Sequence, residues 1–83
     1  MTKIKIFGLM TAADAAIIIQ AKPDYAGVVF APGRHQVNQD QARMIRAALN
    51  PSIPLVGVFV ATPIEEILAI AQAGIIQLVQ LHG

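Results

Sequence analysis

Eighty-three residues leave room for one small domain, spanning 1–83, and the absence of cysteine excludes a disulfide framework, a thiolate nucleophile and any sulfur-ligated zinc. A net charge of +1, from six Lys/Arg against five Asp/Glu, offers no basic surface for nucleic acid or anionic lipid. With 55% hydrophobic and only 13% charged residues, the chain is apolar for its size.

Residues 3–7 alternate Ile4 and Ile6 against Lys3, Lys5 and Phe7, a strand whose two faces differ in chemistry. Thr11-Ala12-Ala13-Asp14 then opens a helix, because a capping hydroxyl stands three residues before a side chain able to reach back. Lys22-Pro23 ends that helix, and the β-branched run 25–31 predicts a second strand. Asn38-Gln39-Asp40-Gln41 opens a second helix with Ala42, Ile45 and Leu49 on its apolar face, closed by Asn50-Pro51. Residues 55–61 form the third predicted strand. Thr62-Pro63-Ile64-Glu65 starts a third helix, with Pro63 at its first position and Ile64, Ile67, Leu68 and Ala71 on one face. Gly74 ends it, and residues 75–81 complete a β-α-β-α-β-α-β order. Asp14, Asp40 and Glu65 sit in capping positions, which explains them without catalysis.

The strands are near-continuous apolar runs, as suits a parallel sheet covered by helices. Gly27-Val28-Val29-Phe30-Ala31 and Gly57-Val58-Phe59-Val60-Ala61 are near copies thirty residues apart, the spacing of a repeated βα unit. Two architectures fit: a small doubly wound, flavodoxin-like open sheet, or an arc of a (β/α)8 barrel. A full barrel takes about 200 residues or more, so this chain amounts to less than half of one. Nine of the eleven charged residues lie in 1–46, so the remainder reads as interior or as a surface that meets something. Mean hydropathy is +0.61. The apolar runs 15–19 and 55–61 are nevertheless far shorter than the roughly 18 residues a membrane span needs. Met1-Thr2-Lys3-Ile4-Lys5 lacks the apolar core of a signal peptide, so a cytoplasmic globular protein is expected.

Lys5-Ile6-Phe7-Gly8-Leu9, Gly27-Val28-Val29-Phe30, Gly57-Val58-Phe59-Val60 and Gln80-Leu81-His82-Gly83, in order and in register, resemble the phosphoribosylanthranilate isomerase family. The resemblance covers the whole chain but only the first half of the family's barrel. It implies a (β/α)8 fold and an Amadori rearrangement in tryptophan biosynthesis, converting N-(5-phosphoribosyl)anthranilate to the (carboxyphenylamino)-deoxyribulose phosphate without metal or cofactor. An acid protonates the ribose ring oxygen and opens the ring; a base then removes the C2 proton of the iminium. The family's base is a cysteine at the end of strand 1, where this chain has Phe7. Its acid, an aspartate ending strand 5, and its phosphate-binding loops lie beyond the span matched. The arginine that handles the anthranilate end aligns with His35, beside Arg34, while Met10 and Ala61 replace a usual threonine and asparagine. Gln80 and His82 stand as the family has them. The resemblance therefore implies a half-barrel that does not catalyse the reaction alone.

Strand alternation places Phe7 on the face of Lys3 and Lys5, at the lumen mouth of a barrel, where it reads as packing. His82 sits where barrel enzymes place functional groups, and also where chain ends fray. Arg34 and His35 lie in the Pro32-Gly33 loop, solvated or binding an anion. His35 and His82 lack a third ligand, so no metal is expected. No GxGxxG, P-loop or Ser-His-Asp arrangement is present. An arc of four strands leaves two open edges and an uncovered face, predicting self-association, with two copies completing an eight-stranded barrel, or docking of a complementary C-terminal half. A non-catalytic self-associating module, and a binder of small anions or aromatic carboxylates through Arg34, His35, Gln80 and His82, are the alternatives to an isomerase.

Overall fold

The computed structural model describes residues 3–82, so the expectations for Met1, Thr2 and Gly83 fall outside it. Its elements follow in strict alternation: β1 (Lys5–Ile6), α1 (Ala12–Ile18) with a 3-10 turn (Ile19–Ala21), β2 (Tyr25–Val29), α2 (Gln39–Ala48), β3 (Leu55–Phe59), α3 (Ile64–Gln72) and β4 (Leu78–Leu81). The strands form one parallel sheet in the order β1-β2-β3-β4. A doubly wound flavodoxin-like sheet reverses direction after its first strands. Here every crossover steps the same way, so the open-sheet alternative gives way to an arc of a barrel.

Two of the three expected caps form. Asp14 accepts from the Met10 and Thr11 amides at 3.0 and 3.2 Å, and its own amide donates to Thr11 Oγ1 at 3.1 Å. The Met10 amide is the main reason the Asp14 carboxyl is held below its usual range; desolvation opposes it, and the Thr11 amide and hydroxyl add to the lowering. Asn38 and Gln41 cap α2 reciprocally, at 2.8 and 2.9 Å. Asp40 instead pairs across the surface with Arg43 at 3.7 Å. At α3 the expected box is absent: Pro63 is itself the cap, without a side-chain bond, and Thr62 Oγ1 donates to the Val60 carbonyl. Glu65 stays in the first turn, where the helix dipole favours it.

The core lies between the sheet and the three helices. Ala26, Val28, Leu55 and Phe59 point into it from the strands, and Ala15, Ile18, Ala42, Ile45, Ile67 and Ile70 from the helices. Phe30 stacks on Phe59 with ring centroids 4.9 Å apart. Below, at the N-terminal end of the sheet, the Arg46 guanidinium donates to the Asn50 and Ile53 carbonyls at 2.8 Å and to Gln77 Oε1. Gln77 Oε1 also takes the Leu55 amide, which ties α2 to the starts of β3 and β4.

Three expectations shift. The strands are shorter than 3–7, 25–31, 55–61 and 75–81, because the chain turns out of the sheet at its C-terminal rim: Gly8 and Ala61 take positive φ, +84° and +53°. Ile75 and Ile76 are buried before β4 begins. On α3 the buried pair is Ile67 and Ile70, whereas Ile64 and Leu68 are 59% and 49% exposed. Val79 and Leu81, which face the helix side of β4, are 46% and 72% exposed, beside that flank of α3. No helix among the described residues is long and apolar enough to cross a membrane.

Candidate functional site

The register decides which side chains share the inner, concave face. Lys5 pairs with Tyr25, Gly27 with Val56, Val56 with Leu78 and Val58 with Gln80, and partners across a parallel ladder point the same way. The inner face thus carries Lys3, Lys5 and Phe7 on β1 and its flanks, Tyr25 and Gly27 on β2, Val56 and Val58 on β3, and Leu78 and Gln80 on β4. Lys5, Phe7, Tyr25, Val56, Leu78 and Gln80, with Val79, line a concavity of about 330 Å³.

Phe7, 38% exposed, lies flat on Gly27: a Cβ at residue 27 would overlap its ring. The strand end that carries it is held by the Gly27 carbonyl, which accepts from both the Gly8 and Leu9 amides at 3.1 and 3.2 Å. Gly8 needs its left-handed conformation there, and its open side is filled by the His35 ring, 3.3 Å from where a Cβ would stand. His35 reaches this place because the loop after β2 folds back. Val37 N–H donates to the Val29 carbonyl at 2.9 Å, and the Gln36 carboxamide donates to the Phe30 carbonyl at 3.3 Å.

The sequence-predicted residues are therefore only partly gathered. Phe7 and Gln80 share the concavity, and His35 stands beside Phe7 across Gly8. Arg34 is exposed in the loop and does not line the concavity. His82 is exposed too, but its amide donates to the Phe59 carbonyl at 2.9 Å, extending the β3–β4 ladder, so its backbone is anchored. Among the described residues no three His, Asp or Glu side chains converge on a common point.

Lys5 and Tyr25 were not singled out from the sequence as site residues. The Lys3 and Lys5 ammonium groups lie 5.6 and 5.7 Å from the Tyr25 ring centroid, within cation–π range. Period-two alternation signals that Lys5 is inward-facing; that Tyr25 stands next to it depends on register. The face as a whole offers an aromatic and aliphatic floor, one carboxamide and two ammonium groups. At the end of β1 it presents a phenyl ring, which accepts no proton.

Comparison with known proteins agrees with this geometry. Residues 4–83 match the family described as N-(5′phosphoribosyl)anthranilate (PRA) isomerase. The chain is 52% identical over its full length to the N-(5′-phosphoribosyl)anthranilate isomerase of Lacticaseibacillus casei and 51% identical to that of Lactiplantibacillus plantarum, covering 42% and 40% of them. Among solved structures, it is similar to a phosphoribosyl anthranilate isomerase in complex with reduced 1-(o-carboxyphenylamino)-1-deoxyribulose 5-phosphate. The TM-score is 0.91 at 36% identity, over the whole of this chain and 43% of that one. A Thermotoga maritima relative, described as a monomer generated from a dimeric isomerase, superposes with a TM-score of 0.88 at 36% identity, over 42% of its length. The chain spans about two-fifths of the proteins it matches.

Proposed function

The chain belongs to the N-(5′-phosphoribosyl)anthranilate isomerase family, and from that membership we propose that residues 1–83 form one half-barrel domain, the first half of a cytoplasmic isomerase barrel that is inactive without its second half. In that role its inner face supplies one wall of the cavity for N-(5′-phosphoribosyl)anthranilate. Gln80, His82, His35 and Arg34 stand on the mouth side, where barrel enzymes work, because the C-terminal strand ends are where loops vary around a rigid sheet. The acid that opens the ribose ring and the loops that hold the phosphate come from the other half.

One observation carries the claim that the chain does not complete the reaction by itself: the Phe7 ring lies on Gly27 at the end of β1, on the inner face. That is the place of the base that must take the C2 proton of the ring-opened iminium. Without proton removal the iminium reverts to the closed sugar, and a positioned base is worth about 10²–10⁴ in rate. The position also suits a smaller side chain, since Gly27 leaves room that the phenyl ring now fills.

The test is to refold the chain together with the portion of the L. casei isomerase beyond the matched region and to assay isomerisation. No turnover is expected with Phe7, and measurable turnover with Phe7→Cys. Equal rates for the two would overturn the proposal.

Self-association is the second reading, favoured by the apolar side chains left bare at the sheet's flank, Val79 and Leu81 with Ile64 and Leu68. Burial of apolar area is worth about 25 cal/mol per Å², so covering this flank with a second copy contributes favourably to pairing. Sedimentation at tens of micromolar should show a dimer; a monomer throughout removes this reading.

A further inference from the structure

The inner face has an unbalanced charge. Lys3 and Lys5 flank Tyr25 on it, and none of the chain's five carboxylates stands at an inward-facing strand position. Asp24 accepts the Ile4 amide at 2.6 Å, Asp14 caps α1, Asp40 meets Arg43, and Glu65 and Glu66 lie on the first turn of α3. Around Lys5 the rest of the concavity is aromatic, aliphatic or amide. Covering this face takes the Lys5 ammonium out of water, at a cost of several kcal/mol unless a carboxylate meets it. We infer that the inner face is shaped to close on a partner that brings a carboxylate to Lys5, the second half of a family barrel, and that the same lysines oppose closure by a second copy of this chain.

The inference rests on the half-barrel reading, and two features on the page choose between the occupants. The relatives carry more than half their length beyond the matched region, enough to supply the missing strands. A second copy placed face to face brings two further lysines and no acid into the same lumen. Copies can still meet through the flank of β4 and α3, which holds no lysine. Lys5 lies one turn of the pleat below Phe7, so the pairing belongs to assembly of the barrel and not to chemistry at its mouth.

The test measures association, not activity. The unaltered chain and its Lys5→Met variant are titrated with the L. casei portion beyond the match, and the dissociation constants are compared. Loss of one partner of a buried charge pair should weaken binding by about thirtyfold or more. An unchanged or tighter complex overturns the inference while leaving the half-barrel reading standing. If the unaltered chain does not associate at all, both fall. A second measurement uses this chain alone. Tyr25 is its single tyrosine and it has no tryptophan, so intrinsic fluorescence reports on the inner face. Quenching of Tyr25 by acrylamide should not change as the chain is concentrated, even where flank-to-flank dimers form. Shielding of Tyr25 on self-association means that two copies cover the inner face, and it overturns the inference.

Discussion

The two faces of the same four strands are in different conditions. Toward the helices, Ala26, Val28 and Leu55 are wholly inaccessible and Phe59 is 1% exposed, with one continuous cluster running from α1 to α3. Toward the concave side the neighbouring positions carry Lys5, Phe7, Leu78 and Gln80, all exposed. Only Gly27 and Val56 are buried there, Gly27 by the Phe7 ring that lies on it. One face is finished by residues close in sequence, since each βα unit brings its own helix. The other has no covering layer among the described residues. Stability should therefore reside in the first face and partnership in the second.

The widest contrast comes from truncating one large side chain in the covered part of the helix-facing side and one at its bare edge on β4. Phe59→Ala removes a stacked, fully buried ring and should cost about 3–5 kcal/mol in chemical denaturation. Leu81→Ala, at a position 72% exposed, should change stability by no more than about 0.5 kcal/mol. A comparable loss at both would show that the flank of β4 is already covered in solution.

Gly27→Ala tests the one tight contact of the concave face. With Phe7 present the added methyl meets the ring, and overpacking should cost about 1–3 kcal/mol. In a Phe7→Cys background that penalty should shrink, a coupling that a double-mutant cycle reads directly.

At the rim, Ala61 holds φ +53° without the glycine or asparagine that favour such a backbone. Ala61→Gly should raise stability by about 0.5–1 kcal/mol.

The smallest effect is electrostatic. Because the folded Asp14 carboxyl lies below its ordinary value near 3.8, its contribution is complete above that value and is lost as pH falls through the lowered one. Denaturation curves from pH 5 down to about pH 2 should show this loss, and Asp14→Asn should flatten it.

Much of the architecture is legible along the chain. Thr11 with Asp14 and Asn38 with Gln41 are local signals, complete within one turn, and both caps form as read. Ala42, Ile45 and Leu49 repeat at helical spacing and are buried as expected. The α3 face was misassigned because Ile64, Ile67, Leu68 and Ala71 satisfy the helical rule as well as Ile67 and Ile70 do. On an apolar helix, periodicity marks every flank, and only the neighbours choose between them. Arg46 gave no signal at all, since its three acceptors come from residues 50, 53 and 77.

For the site the same boundary applies. Phe7, Gln80 and His82 are candidates drawn from a resemblance spread over four strand ends, and strand alternation places Phe7 and Lys5 on one face, as the concavity shows. The meeting of Lys5 with Tyr25, and of His35 with Gly8, was not legible, because register and loop folding join residues about twenty to thirty positions apart. The sequence by itself determined the alternating βα order, the helix starts at its capping boxes and the lack of a base at the end of β1, all properties of single residues or single turns. The tertiary structure alone decided the strand order that makes the sheet an arc, the buried flank of α3 and the gathering of two lysines around Tyr25 on the open face. Those depend on which distant surfaces exclude water together, and no local pattern carries that information.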